Sequence, residues 1–199
     1  MMKQQHHPRK RILWIVIIVS LVLFATILIQ HDNLRPLDLS ADYWFKAAGF
    51  PYYRVFNFIS FLGSIYWVPF MVVLLVGWLW KQKKHRAAII LAVAVASNYI
   101  IVSLLKILTN WSRPEEVPLA LSGTFPSAHA STPFVLYTLA YIFLAKKHRV
   151  VPFVGIVVLA LLIGVSRIVV NAHWLTDILA GQLLAIAWIG ATLLFFYKK

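Results

Sequence analysis

The chain contains no cysteine, which excludes disulfides, thiolate nucleophiles and cysteine metal sites and leaves the redox compartment open. Acidic residues are nearly as scarce. Only six occur among 199 residues, and no cluster of carboxylates stands ready to hold a divalent cation. No internal repeat or low-complexity tract is present, and the short alternating strands of a membrane barrel are missing. With charged residues at 13%, a large soluble domain has no sequence to occupy.

What is abundant is apolar surface. Hydrophobic residues make up 61% of the chain, above the half that is usual for soluble domains. They gather in six runs, at roughly 12–30, 64–80, 87–109, 128–145, 150–170 and 174–197. A helix needs about 20 apolar residues to cross about 30 Å of hydrocarbon, so each run is long enough or nearly so. Helices are the expected spanning structure because they satisfy their own backbone. The fold class expected is therefore all-α: one polytopic membrane domain over 1–199 with six transmembrane helices. The first run follows Lys3, Arg9, Lys10 and Arg11, as a signal peptide would. It is too long for one, and Ile29–Gln30–His31 offers no small-x-small cleavage site, so an uncleaved anchor is expected.

The net charge of +13 raises nucleic acid as a partner, but the distribution argues against it. With six spans, the N-terminal cluster, Lys81, Lys83, Lys84, Arg86, Lys146, Lys147, Arg149, Lys198 and Lys199 all fall on one side. All six acidic residues (Asp32, Asp38, Asp42, Glu115, Glu116 and Asp177) fall on the other, balanced by six basic ones. By the positive-inside rule both termini are cytoplasmic. The connections 31–63 and 110–127 then face outward. The first carries Tyr43, Trp44, Phe45, Phe50, Tyr52, Tyr53, Phe56 and Phe58, with Gly49 and Pro51 breaking it in two. An extracytoplasmic interfacial helical segment fits this composition. It reads first as an aromatic belt that anchors the fold and second, at 41–60, as a lateral gate beside a lipid-access path.

Three polar stretches sit at helix ends on the outward side, where charge is costly. Lys106 lies in the last turn of the third run. Arg113 follows seven residues on, and Pro114 disfavours helix there, so that Arg113 can turn back over the helix end. Alone, both residues read as snorkelling to headgroups. Ser127 precedes the fourth run as a possible cap, and His129 would sit in the first turn, where free N–H groups and the helix dipole attract anions. Alone, it reads as readily as a capping serine beside an interfacial histidine. Ser166, Arg167, His173 and Asp177 form the third stretch. His173 and Asp177, at i and i+4, are expected on one helix face, with the carboxylate holding one ring nitrogen. The plainer alternative, a polar pair satisfying itself between helices, is here the weaker one. Together, three cations, two histidines, a helix N-terminus and an orienting carboxylate make the inventory for a phosphate dianion.

At these positions the sequence resembles the type 2 phosphatidic acid phosphatase superfamily. That family's signature, Lys-x6-Arg-Pro, Pro-Ser-Gly-His and Ser-Arg-x5-His-x3-Asp, reads here as Lys106–Pro114, Pro126–His129 and Ser166–Asp177. One position departs: Ala128 replaces the usual glycine, harmless if it has ordinary helical angles. The resemblance implies His173 as the nucleophile that becomes phosphohistidine, oriented by Asp177. It implies His129 as general acid and then base, with the two histidine pKa values pushed apart. Lys106, Arg113 and Arg167 would clamp the phosphate, assisted by Ser127 and the Ala128 N–H. No metal or cofactor is implied. The implied substrate is a phosphorylated membrane lipid at the outer face of the plasma membrane: phosphatidylglycerophosphate first, then undecaprenyl diphosphate, then phosphatidate. Other readings are a lipid or anion transporter using the same cations, a phosphotransferase, and a vanadate-type haloperoxidase, the last opposed by the membrane spans.

Overall fold

The computed structural model describes residues 8–114, 123–145 and 150–196. Lys3, Glu115, Glu116, Lys146, Lys147, Arg149, Lys198 and Lys199, which entered the charge argument, lie outside these residues, as does 115–122 of the second outward connection.

The described residues are helical, without strands. The order is α1 (Pro8–Ile29), α2 (Arg35–Gly49), a 3-10 turn (Phe50–Tyr52), α3 (Tyr53–Phe61), α4 (Trp67–Lys81), α5 (His85–Thr109), α6 (Ala128–Leu144), α7 (Val150–Val169) and α8 (Leu175–Phe196). Helices α1, α5, α7 and α8 are long and apolar enough to cross a membrane. The apolar helices α4 and α6 are shorter, at 15 and 17 residues. Gly49 ends α2, and Pro51 sits in the 3-10 turn that separates it from α3.

Helix α6 is the hub. It packs against α4, α5, α7 and α8 and is buried on every side, from Ala130 through Leu136 and Leu139 to Phe143. A helix that meets only protein carries apolar residues all round, and α6 does. Its neighbours are two-faced. Leu79, Leu91, Ala160 and Ala185 point into the core, while Val73, Trp78, Val93, Ile100, Val154 and Val158 stand exposed. Exposed apolar area on this scale is what a bilayer covers. Helix α1 lies along α8, where Gly190 lets Ile17 approach closely. Halfway along, the buried Asn98 of α5 accepts hydrogen bonds from Ser131 (3.1 Å) and Thr132 (3.3 Å) of α6.

The two ends of the bundle differ. At one end Lys84 donates to the Phe143 carbonyl (2.8 Å) and Arg86 to that of Phe196 (2.8 Å), tying the start of α5 to the ends of α6 and α8. At the other end lie the close of α5, the starts of α6 and α8, and the pair α2–α3. Here Asp38 of α2, fully buried, accepts from the Thr176 N–H (2.9 Å) and hydroxyl (2.8 Å). It thereby serves one of the N–H groups that a helix start leaves open, and it docks α2 onto the beginning of α8. Removal of water from the charged form raises the Asp38 pKa above its ordinary 3.8.

Candidate active site

The candidate site residues Lys106, Arg113, Ser127, Ala128, His129, Arg167, His173 and Asp177 lie at the end of the bundle opposite Lys84 and Arg86. Helix α5 stops at Thr109 because Asn110 turns left-handed (φ 47°), which asparagine tolerates better than most residues. Lys106 is thus in the last turn, while Arg113 sits on the extended stretch beyond. From there its Nη1 donates to the Ala172 carbonyl (3.2 Å). Gly123 crosses so close to this stretch that a Cβ there would lie 2.6 Å from Asn110 Cα. Only glycine fits. Lys106, buried, donates to the carbonyls of Gly123 (3.2 Å) and Thr124 (2.7 Å). An ammonium has three donors, so one remains for a ligand.

The start of α6 differs from expectation. Ser127 occupies the N-cap position, but its side chain makes no cap hydrogen bond. Its Oγ is buried without a partner, and its N–H donates to the Asp177 carbonyl (3.0 Å). This backbone contact needs close approach of α8, which Gly181 allows; a Cβ there would meet the Ser127 carbonyl at 2.6 Å. Ala128 opens α6 with no positive φ, so the missing glycine requires no strained backbone. His129 follows, half-buried, with no hydrogen-bond partner among the described residues.

The expected helix face shared by His173 and Asp177 is also corrected. Helix α8 begins at Leu175, and His173 lies in the turn before it. Asp177 is the third helical residue, and its Oδ2 reaches back to the Trp174 N–H (2.9 Å) in the manner of a capping box. The same oxygen lies 3.2 Å from His173 Nδ1. The contact survives because the turn folds His173 over the helix start rather than along it. Asn171, left-handed at φ 60°, makes that turn, and the Ala172 and His173 N–H groups both return to the Arg167 carbonyl.

Arg167, at the end of α7, is hydrogen-bonded through Nη1 to the buried Ser60 Oγ of α3. The Nε donors of both Arg167 and Arg113 are buried and unpartnered, as is Ser127 Oγ. Buried donors without partners are rare. Three of them at one end of the molecule, beside a lysine with a donor free, describe a place for an anion. His173 is 2% exposed. Its pKa is pushed well below the ordinary 6.5, first by burial and then by Lys106, Arg167 and Arg113. Its imidazole is therefore neutral at pH 7. His129 lies within electrostatic range of the same three cations and of His173, so the expected separation of the two histidines does not follow from their surroundings. Among the described residues no group of three His, Cys, Asp or Glu side chains could share a metal ion.

Four contributors escape the sequence motifs. Thr124 contacts both His173 and Asp177. Ser60 and Asp38 reach the site from 107 and 138 residues away in the chain. Trp174 is fixed by its Nε1 bond to the Ser112 carbonyl (3.0 Å) and by the Arg35 guanidinium 3.8 Å above its ring. Thr124, two residues before Pro126, and Trp174, between His173 and Asp177, had a signal in their place beside or within a motif; Ser60 and Asp38 had none.

Comparison with known proteins gives the same outline. A family model described as the PAP2 superfamily matches residues 87–199. Phosphatidylglycerophosphatase B of Bacillus subtilis (strain 168) is 29% identical over 197 residues, covering 91% of this chain and 92% of its own length. The crystal structure of a transmembrane PAP2 type phosphatidylglycerolphosphate phosphatase from Bacillus subtilis matches with a TM-score of 0.81 at 22% identity, over 94% of this chain and 96% of that one. That of Aquifex aeolicus LpxE matches with a TM-score of 0.64 at 23% identity, over 79% and 94%. At these identities the two crystal structures bear on the fold.

Proposed function

The chain belongs to the PAP2 superfamily and is a membrane phosphatase, and from that premise we propose that it hydrolyses a lipid phosphate monoester or diphosphate through a phosphohistidine on His173. The observation that carries this is His173 itself: a buried, neutral imidazole held through Nδ1, within range of three cations whose donors are not all used. The other ring nitrogen, Nε2, attacks phosphorus in line. The bond to the leaving oxygen breaks, and His129 protonates that oxygen. His129, now neutral, takes a proton from water, whose oxygen attacks the phosphohistidine and frees inorganic phosphate and His173. Lys106, Arg113 and Arg167 hold the equatorial oxygens, where charge is greatest in the transition state, and arginine suits the two-pronged contacts. Ser127 Oγ and the Ala128 N–H complete the cradle. No step requires a metal.

Phosphatidylglycerophosphate is the favoured substrate, by likeness to the Bacillus subtilis relative, with undecaprenyl diphosphate and then phosphatidate behind it. In the membrane we read one domain over 1–199 with six crossings, formed by α1 and α4–α8. Helices α2 and α3 lie at headgroup depth, both termini are cytoplasmic, and the site opens to the outside. The charged ends of the bundle support this orientation.

The test is phosphate release by the purified protein from a panel of these three lipids. Turnover is expected on at least one, unaffected by EDTA, and reduced by a factor of about 10³ or more in His173→Ala, as for removal of a nucleophile elsewhere. Turnover retained in that variant, or lost to EDTA and restored by Mg²⁺, would overturn the mechanism.

A further inference from the structure

Asp177 is not the first atom that His173 meets. Thr124 Oγ1 lies 2.9 Å from His173 Nδ1, nearer than the carboxylate oxygen at 3.2 Å. The same hydroxyl is hydrogen-bonded to Asp177 Oδ2, and all three side chains are buried. Asp177 Oδ2 already accepts from the Trp174 N–H, so it acts as an acceptor. The single hydroxyl proton of Thr124 therefore points to Asp177. Only the lone pairs of Thr124 are left to face His173, and Nδ1 must then carry the ring proton. The lone pair of the neutral ring is consequently at Nε2, the nitrogen free to attack.

We propose that Thr124 is a positioning residue for the hydrolysis: its hydroxyl forms the middle link of a His173–Thr124–Asp177 relay that fixes the attacking tautomer of His173. The proposal rests on His173 being the nucleophile. As the ring gains positive charge on attack, Nδ1–H donates more strongly to Thr124, and the Thr124 hydroxyl more strongly to Asp177. Partner and partner's partner strengthen together. The backbone keeps this link in place. The Thr124 carbonyl receives Lys106 Nζ, and its N–H donates to the Trp111 carbonyl (2.9 Å). The lysine expected to clamp phosphate thus also seats the relay.

Thr124→Val keeps the shape and removes the hydroxyl, while Thr124→Ser keeps the hydroxyl. In Thr124→Val, kcat is expected to fall about 10–100-fold, the range known for the outer partners of metal-bound histidines, with KM changed little. Thr124→Ser is expected to restore most of the rate. A relay is one unit, so in an Asp177→Ala background the added Thr124→Val change is expected to cost less than about twofold, against independent sites whose effects simply add. Wild-type kcat in Thr124→Val, or an equal loss in both backgrounds, would overturn the proposal. Nitrogen-15 NMR of histidine-labelled protein, with the His173 signal assigned by its loss in His173→Ala, tests the tautomer independently. The expected signal for His173 is a protonated Nδ1 and a bare Nε2, and the opposite tautomer excludes the relay. Because that spectrum does not depend on turnover, a failed phosphohistidine mechanism and a failed relay are told apart.

Discussion

At the scale of single residues, the site is a set of cations each partly bound to a carbonyl or hydroxyl and each with a donor left over. His173 is the exception, since its useful property is a lone pair. Burial and three neighbouring cations hold its pKa below 6.5, so protonation, and with it loss of the proposed nucleophile, begins only under more acid conditions. The acid limb of kcat/KM, which reports the free enzyme, is therefore expected below pH 6.5. A pH–rate profile checks this, and a limb at or above the ordinary histidine value contradicts it. Sequence spacing was a good guide to which residues share the site and a poor guide to how. Ser127 looked like a cap and is an unbonded hydroxyl, because its N–H, not its side chain, is what α8 uses. His173 looked helical and is not, because Trp174 takes the N-cap position and Asp177 turns back to it.

At the scale of elements, the end of the bundle is assembled by capping. Helix α8 receives its first turn's partners from two carboxylates, its own Asp177 and the distant Asp38. Asp38→Ala leaves a buried N–H and hydroxyl unserved and is expected to destabilise the protein by about 2 kcal/mol, within the usual cost of such groups. Asp38→Asn retains an acceptor for the Thr176 N–H, and it sheds a charge that burial disfavours, so a smaller loss is expected. Thermal unfolding in detergent ranks the two; an alanine variant as stable as the parent would mean that α2 is not held through this contact. The break between α2 and α3 was legible because glycine and proline act locally. The docking of those helices was not, since Asp38 and Ser60 look like ordinary residues of a polar connection until Thr176 and Arg167 are brought beside them.

At the scale of the whole molecule, the helical class and the approximate limits of the apolar helices follow from run length. What run length does not convey is which helix meets lipid. The 17-residue α6 is the most enclosed of all, and a helix surrounded by protein has no hydrocarbon thickness to match. The opposed ends carry the orientation argument, and the lack of cysteine makes it testable. Single cysteines at exposed Tyr43 and Gln82 lie on α2 and in the α4–α5 turn. In intact cells an impermeant maleimide is expected to label Tyr43→Cys and spare Gln82→Cys. Reversed labelling would turn the site to the cytoplasm.

The polar contact of Asn98 with Ser131 and Thr132 has a bearing on all of this. Asn98 lies eight residues before Lys106, so about 12 Å down the same rod. Ser131 is one turn past Ser127 on the next. Greasy helices can slide along one another at little cost, but a buried carboxamide that slips by a turn loses both hydroxyls that bond to it. This mid-depth bolt sets the height of Lys106 against that of Ser127, well below the end of the bundle where the proposed phosphate cradle lies.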